Sequence, residues 1–182
     1  TFVACSGNKV SGANSTAFGI NNTITSVNSF AAGNKNTINA KDSFVIGQGN
    51  KVLAATSNGK TYGTCFVAGT GNTADGGYNT TLGGTCENYG LYSITNGLKC
   101  KEYANHAIVT GRQSIINSDA HYSFSTGYAN TSDHQSTIVG GRGLATGRNN
   151  QAIFGEFNEV KSDALLVVGN GDCTIASDGT VS

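Results

Sequence analysis

The chain repeats itself at intervals close to fourteen residues, and that period limits what it can become. In DSFVIGQGNKV, residues 42–52, Gly47 acts as an anchor: Ser43 lies four before it, Phe44 three before, Ile46 one before, Asn50 three after and Val52 five after. The frame recurs at Cys5, where glycine is replaced, and at Gly19, Gly33, Gly47, Gly69, Gly83, Gly97, Gly111, Gly127, Gly140, Gly155 and Gly169. The intervals are 14, 14, 14, 22, 14, 14, 14, 16, 13, 15 and 14 residues. Twelve short copies of one pattern mean a stacked array in which no unit buries its apolar side alone. The pattern predicts an all-β chain, a parallel β-roll or solenoid of about twelve rungs, forming one elongated domain over residues 1–182.

Columns through the rungs assign the faces. Three before the anchor stand Phe2, Phe30, Phe44, Phe66 and Leu166 among others, and one before it Phe18, Ile46, Leu82 and Phe154. These two columns trade size, Phe30 with Ala32, Thr16 with Phe18 and Ala152 with Phe154, which predicts that both fill the interior of the coil. The column between them, Val3, Val45, Val67, Val109, Ile138, Ile153 and Val167, then faces outward. An apolar stripe of that length needs a cover, most simply another copy of the chain. Five after the anchor, Val10, Ile24, Ile38, Val52, Ala74, Ile116, Ala145 and Val160 supply a return strand, which lapses at Asn88, Glu102 and Ser132.

Three after the anchor comes Asn8, Asn22, Asn36, Asn50, Asn72, Asn130 and Asn158, with Cys86, Cys100, Ser114, Gly143 and Asp172 in the other rungs. Asn tolerates left-handed turns, and stacked carboxamides hydrogen-bond along a ladder. These asparagines are expected to be structural.

NSTAFGINNTI, NSFAAGNKNTI and DSFVIGQGNKV resemble the head repeats of trimeric autotransporter adhesins, with their NSxAxGxxS/NxA motif of about fourteen residues. The resemblance extends over nearly the whole chain. It implies a left-handed parallel β-roll and a parallel homotrimer, with the Val3 to Val167 column at or near the axis. Similar repeats occur in tail-fibre and other surface proteins of phages and large DNA viruses, which the ending QAIFGEFNEVKSDALLVVGNGDCTIASDGTVS resembles more closely.

Composition narrows the function. Twenty-six glycines and no Pro, Met or Trp in 182 residues have the economy of a repeat fold. Eleven acidic and eleven basic residues balance, so nothing points to nucleic acid, and no apolar run is long enough for membrane insertion. Without an initiator Met, Thr1 is expected to follow processing or to lie within a longer fibre. Cys5, Cys65, Cys86, Cys100 and Cys173 show no CxxC spacing, and His106, His121 and His134 share no column, so no metal site is expected. Cys86 and Cys100 share a column, but parallel in-register neighbours seldom offer disulfide torsions, and free buried thiols are expected.

Residues 1–52 form the most regular block. Residues 53–60, LAATSNGK, are an inserted loop with a turn at Ser57, Asn58 and Gly59. Across 61–134 the core thins and aromatics move outward: five before the anchor, where earlier rungs carry Asn14, Asn28 and Asp42, stand Tyr78, Tyr92, His106 and Tyr122, with Tyr89 and Tyr103 each six after an anchor. Such a stripe suits sugar rings or a receptor edge, or else covers the thinned core or a neighbouring protomer. Over 135–182 the spacings of 13, 15 and 14 predict small bulges, then LLVVG restores a strand, Asp178, Gly179 and Thr180 a turn, and Val181 the start of a further strand.

CFVAGTGNTA and LLVVGNGD mimic dinucleotide-binding glycine motifs, but both fit the repeat frame and no helix follows either. GxSxG, HExxH and paired carboxylates are absent, leaving only a tail-spike-like site between protomers as an enzymatic option. The expected function is therefore a cofactor-free, non-catalytic extracellular module, on a cell or virion surface, that attaches to a host receptor or glycan. The alternative is a spacer or filament subunit without a ligand. An ice-binding array is disfavoured by Lys9, Lys51, Glu87 and Lys101 among the threonines of its column.

Overall fold

The computed structural model describes residues 1–57 and 60–171. The chain winds as a parallel β-solenoid of about twelve turns, with no helix among the described residues. Twelve strands, from Phe2–Ala4 to Leu166–Asn170, stack in chain order as one parallel sheet; nine two-residue strands, from Lys9–Val10 to Thr131–Ser132, stack as a second. Rungs pair in register, with Gly19 opposite Gly33, Gly33 opposite Gly47 and Gly47 opposite Gly69.

The faces of the long strands are the reverse of the expectation. Ala17, Ala31, Val45, Val67, Val109 and Ile153, two before the anchor, have no exposed surface and form the core with Ile24, Ile38, Val52, Ala74 and Ile116 from the short strands. Val45, Val67, Val109 and Ile153 are therefore interior residues of one chain and cannot lie at an interface between chains. Val167 is partly buried in the same position, and Val3, at the open first rung, is exposed. The columns flanking them point outward, with Phe18, Phe44, Ile46, Phe66, Ile94, Phe124 and Phe154 all exposed.

The physical reason is the narrow gap between the two sheets. It admits one residue from a long strand and one from a short strand per coil, and the pairs that share it compensate in volume: Ala17 with Ile24, Ala31 with Ile38, Val67 with Ala74. A phenyl ring would not fit opposite isoleucine. The size exchange between Phe18 and Phe30 instead packs a zigzag of rings on the outside, with centroids 5.3 Å apart for Phe2–Phe18, 5.9 Å for Phe18–Phe30 and 4.7 Å for Phe30–Phe44.

The anchor glycine is required twice over. At Gly47 φ is +120°, and a Cβ there would sit 2.0 Å from the carbonyl oxygen of Gly69 on the next rung. That carbonyl also accepts the side-chain N–H of Asn50 at 2.9 Å. Asn8, Asn22, Asn36, Asn50, Asn72 and Asn130 all bind this way, each amide donating to its own rung and to the next anchor glycine. Their oxygens accept the backbone N–H one rung on, as from Asn36 to Asn22 and Cys86 to Asn72. Asn158 departs from the ladder and binds the backbone of Ala145 instead. The ladder asparagines are not themselves left-handed; the residue before each carries the positive φ, as at Asn21 (57°), Lys35 (57°) and Gly49 (66°). A second ladder, four before the anchor, links Ser15, Ser29, Ser43 and Cys65 through hydroxyl acceptors.

One register differs from the expectation. Gly127 pairs with Gly141, and Gly141 with Gly155, so the anchor is Gly141 rather than Gly140 and both spacings are fourteen, without bulges. This places Val139 in the core, leaves Ile138 exposed on the outer face as expected although in a different column, and puts Leu144 rather than Gly143 on the Asn130 carboxamide. The insertion forms a small antiparallel hairpin, Thr56–Ser57 with Lys60–Thr61. The turn residues Asn58 and Gly59, together with Asp172, Cys173 and the expected turn and strand start at Asp178 to Val181, lie outside the described residues.

Candidate functional site

Tyr78, Tyr92, His106 and Tyr122 occupy the corner that leads into four successive long strands. Their φ values are 59°, 59°, 57° and 61°, the left-handed conformation that Asn14, Asn28 and Asp42 take in the same column. Asn and Asp adopt it at small cost, whereas a bulky side chain there costs on the order of 1–2 kcal/mol. The backbone N–H of Tyr78 and of Tyr92 is held by the carbonyl of Gly63 and of Gly77, at 2.8 and 3.0 Å.

The four rings form one continuous stack. Centroids lie 4.8 Å apart for Tyr78–Tyr92, 5.1 Å for Tyr92–His106 and 5.3 Å for His106–Tyr122, with interplanar angles of 2°, 5° and 9°. All four are exposed, Tyr92 at 50% and Tyr122 at 65%. The sheet spacing dictates this geometry: in-register neighbours about 4.8 Å apart bring flat side chains into contact, and each contact returns about 0.5–1.5 kcal/mol. Three ring contacts thus offset part of the strain at four corners.

Because the rings cover one another, the stripe presents edges and phenol hydroxyls to solvent, not a row of open faces. Only the ends differ. Beyond Tyr122 the column continues with Ser136; before Tyr78 it continues with Thr64 and Asp42, and Tyr62 meets Tyr78 at 73°. There the surface opens into a groove of about 370 Å³ lined by Asp42, Phe44, Thr64, Phe66, Tyr78 and Asn79, among others. Phe44 and Phe66 give it an apolar side, and the Asp42 carboxylate, anchored by the Asn28 amide at 2.9 Å, a polar one.

Tyr89 and Tyr103 form a separate stack at 5.1 Å and 3°, and the Tyr103 hydroxyl donates to Glu87 at 3.5 Å. A further surface feature is legible in the column one after the anchor: Leu98, Arg112, Tyr128 and Arg142 follow one another along the outer edge of the long sheet.

Three polar layers interrupt the core of the same block, one of them Ser125 with Ser132 beyond Val109/Ile116. Thr81 and Asn88 in one coil, and Thr95 and Glu102 in the next, are fully buried between the apolar layers Val67/Ala74 and Val109/Ile116. Burial pushes the Glu102 carboxyl up to about 8, against hydrogen bonds from Ser93, Ala104 and Gly90 that favour its charged form. Cys86 and Cys100 are free and take the asparagine position. Their thiols hydrogen-bond, which holds Cys86 down to about 7 and pushes Cys100 up. All these groups are sealed inside the coil. Among the described residues no three His, Cys, Asp or Glu side chains gather where they could hold a metal ion. No protein-family model matches the chain, and no curated protein or solved structure shows detectable similarity to it.

Proposed function

We propose that this chain is a non-catalytic module of an extracellular fibre or head, on a bacterial surface adhesin or a virion, that attaches to a receptor or glycan on a host surface. The observation that carries the reading is the exposed stack of Tyr78, Tyr92, His106 and Tyr122, aromatic rings set at a left-handed corner that earlier rungs fill with Asn14, Asn28 and Asp42. Departures from a repeat's own consistency are where function is expected.

Assembly belongs to the same proposal: a left-handed roll, three copies in parallel, packed through the outer face of the long sheet. Support comes from Phe18, Phe44, Ile46, Phe66, Phe124 and Phe154, exposed along one face from end to end. The axis is lined by these columns and not by the valines between them.

A spacer without a ligand is the second reading, and the stacking favours it to the extent that the rings satisfy each other. A Tyr92→Ala, Tyr122→Ala double variant separates the two. Under the attachment reading it loses binding to host cells in a surface-binding assay while its sedimentation and circular dichroism stay as in the parent chain. Retained binding with early melting would make the stack a packing device and the chain a spacer at this position.

A further inference from the structure

Arg112, Tyr128 and Arg142 stand on three successive rungs, one residue after the anchor glycines Gly111, Gly127 and Gly141. The guanidinium of Arg112 lies over the Tyr128 ring at 5.4 Å and that of Arg142 at 5.9 Å, and Arg142 also reaches the Phe157 ring at 5.2 Å. Both arginines are exposed, and neither has a carboxylate within ion-pair distance among the described residues, although Glu156 is the register neighbour of Arg142. The exposed Lys99 lies next to the rung of Arg112, so the edge from Leu98 to Gly143 carries three positive charges and no acid, in a chain whose net charge is zero.

We infer that this edge is an anion-binding site for a sulfated polysaccharide. The reasoning rests on how the arginines are held. Stacking on a ring spends the face of a guanidinium and orients it, while its five N–H donors remain in the plane and free for bidentate contact with an oxyanion. Tyr128 thus positions two such forks without neutralising them. The forks are two rungs apart, roughly 10 Å along the solenoid, which suits charged groups on alternate sugars of an extended chain. Phosphates along a nucleic-acid strand recur at a closer spacing, so the edge fits a disaccharide repeat better. The site is built within one chain, lies at the opposite end of the long strands from the aromatic stack, and is independent of the attachment role given to that stack.

The test is binding of a heparin-type sulfated hexasaccharide to the full chain by calorimetry, beside the same hexasaccharide desulfated and a single-stranded oligonucleotide of matched charge. Expected are salt-dependent binding of the sulfated sugar only, a loss of at least about tenfold in the Arg112→Ala, Arg142→Ala variant, and a smaller loss in Arg112→Lys, Arg142→Lys, which keeps the charge but not the fork. The Tyr92→Ala, Tyr122→Ala variant should bind the sulfated sugar as the parent does. Equal affinity for the desulfated sugar, tighter binding of the oligonucleotide, or unchanged affinity in the alanine variant would each overturn the assignment. So would an alanine variant that keeps its affinity but changes oligomeric state, because the arginines would then serve contacts between protomers.

Discussion

The side-chain amide of Asn36 donates to the carbonyl of Gly47 at 2.9 Å, and that contact joins the two columns that define the repeat. Gly33, lacking a Cβ, lets the Gly47 carbonyl approach its rung, where a Cβ would sit 2.0 Å from that oxygen, and the Asn36 amide caps the same carbonyl. Asn36 donates also to Ala32 and Asn22, and accepts from the backbone of Asn50. Replacement by valine leaves several of these buried groups unpaired, at about 1–3 kcal/mol each. Asn36→Val should therefore lower the unfolding free energy by about 3 kcal/mol or more, read from its midpoint in urea; an unchanged midpoint would make the ladder incidental.

Gly47→Ala tests the glycine's part in the equivalent contact one rung on, between Asn50 and Gly69. A methyl group would meet the Gly69 oxygen at 2.0 Å in a backbone already at φ +120°. Rungs on either side would have to part, so the variant should lose more than the roughly 1 kcal/mol of an ordinary Gly-to-Ala mismatch. Gly49→Ala, at φ +66° with open space around it, should cost less. Equal urea midpoints for the two variants would sink the steric explanation.

Val45 and Ile46 are adjacent in sequence and opposite in role, the first with no exposed surface and the second 42% exposed. Val45→Asp would bury an unpaired carboxylate in the core and should abolish cooperative folding, a loss of more than about 4 kcal/mol. Ile46→Asp should keep the circular dichroism of the parent and give monomers in sedimentation equilibrium. A folded Val45→Asp chain, or an Ile46→Asp chain that still assembles, would contradict the assignment of faces.

Glu102 makes stability depend on pH. Its folded value of about 8 lies above the usual carboxyl range because of burial. The folded state therefore holds the proton more tightly than the unfolded one. The stabilisation is complete below the unfolded value and is lost as pH rises through about 8. The parent chain should melt progressively earlier from pH 5 to pH 9, by an amount on the order of 4 kcal/mol at most, and Glu102→Gln should melt with a flatter profile. Parallel profiles for the two would assign the pH dependence to other groups.

Much of the molecule was legible in the residues. The intervals between glycines specify about twelve rungs and the register in which Gly19, Gly33 and Gly47 face one another, since a parallel stack admits no other alignment of a fixed period. The aromatic stack was equally legible, because side chains in one column of an in-register sheet stand one strand spacing apart. The doublet Gly140–Gly141 was ambiguous: either glycine could serve as the anchor until the pairing of Ile138 with Phe124 decided it.

What the sequence by itself determined is thus the period, the columns and their contents. Which side of each column faces inward was decided only by the tertiary structure. Alternation identifies a core face when the other face is polar, but in PheValIle at 44–46 both faces are apolar, and a pattern of period two carries no sign. The sign comes from across the coil. The short strand places Val52 or Ile38 opposite, the sheets close to a gap one such side chain wide, and only the slim middle residue fits, which turns the phenylalanines out toward solvent.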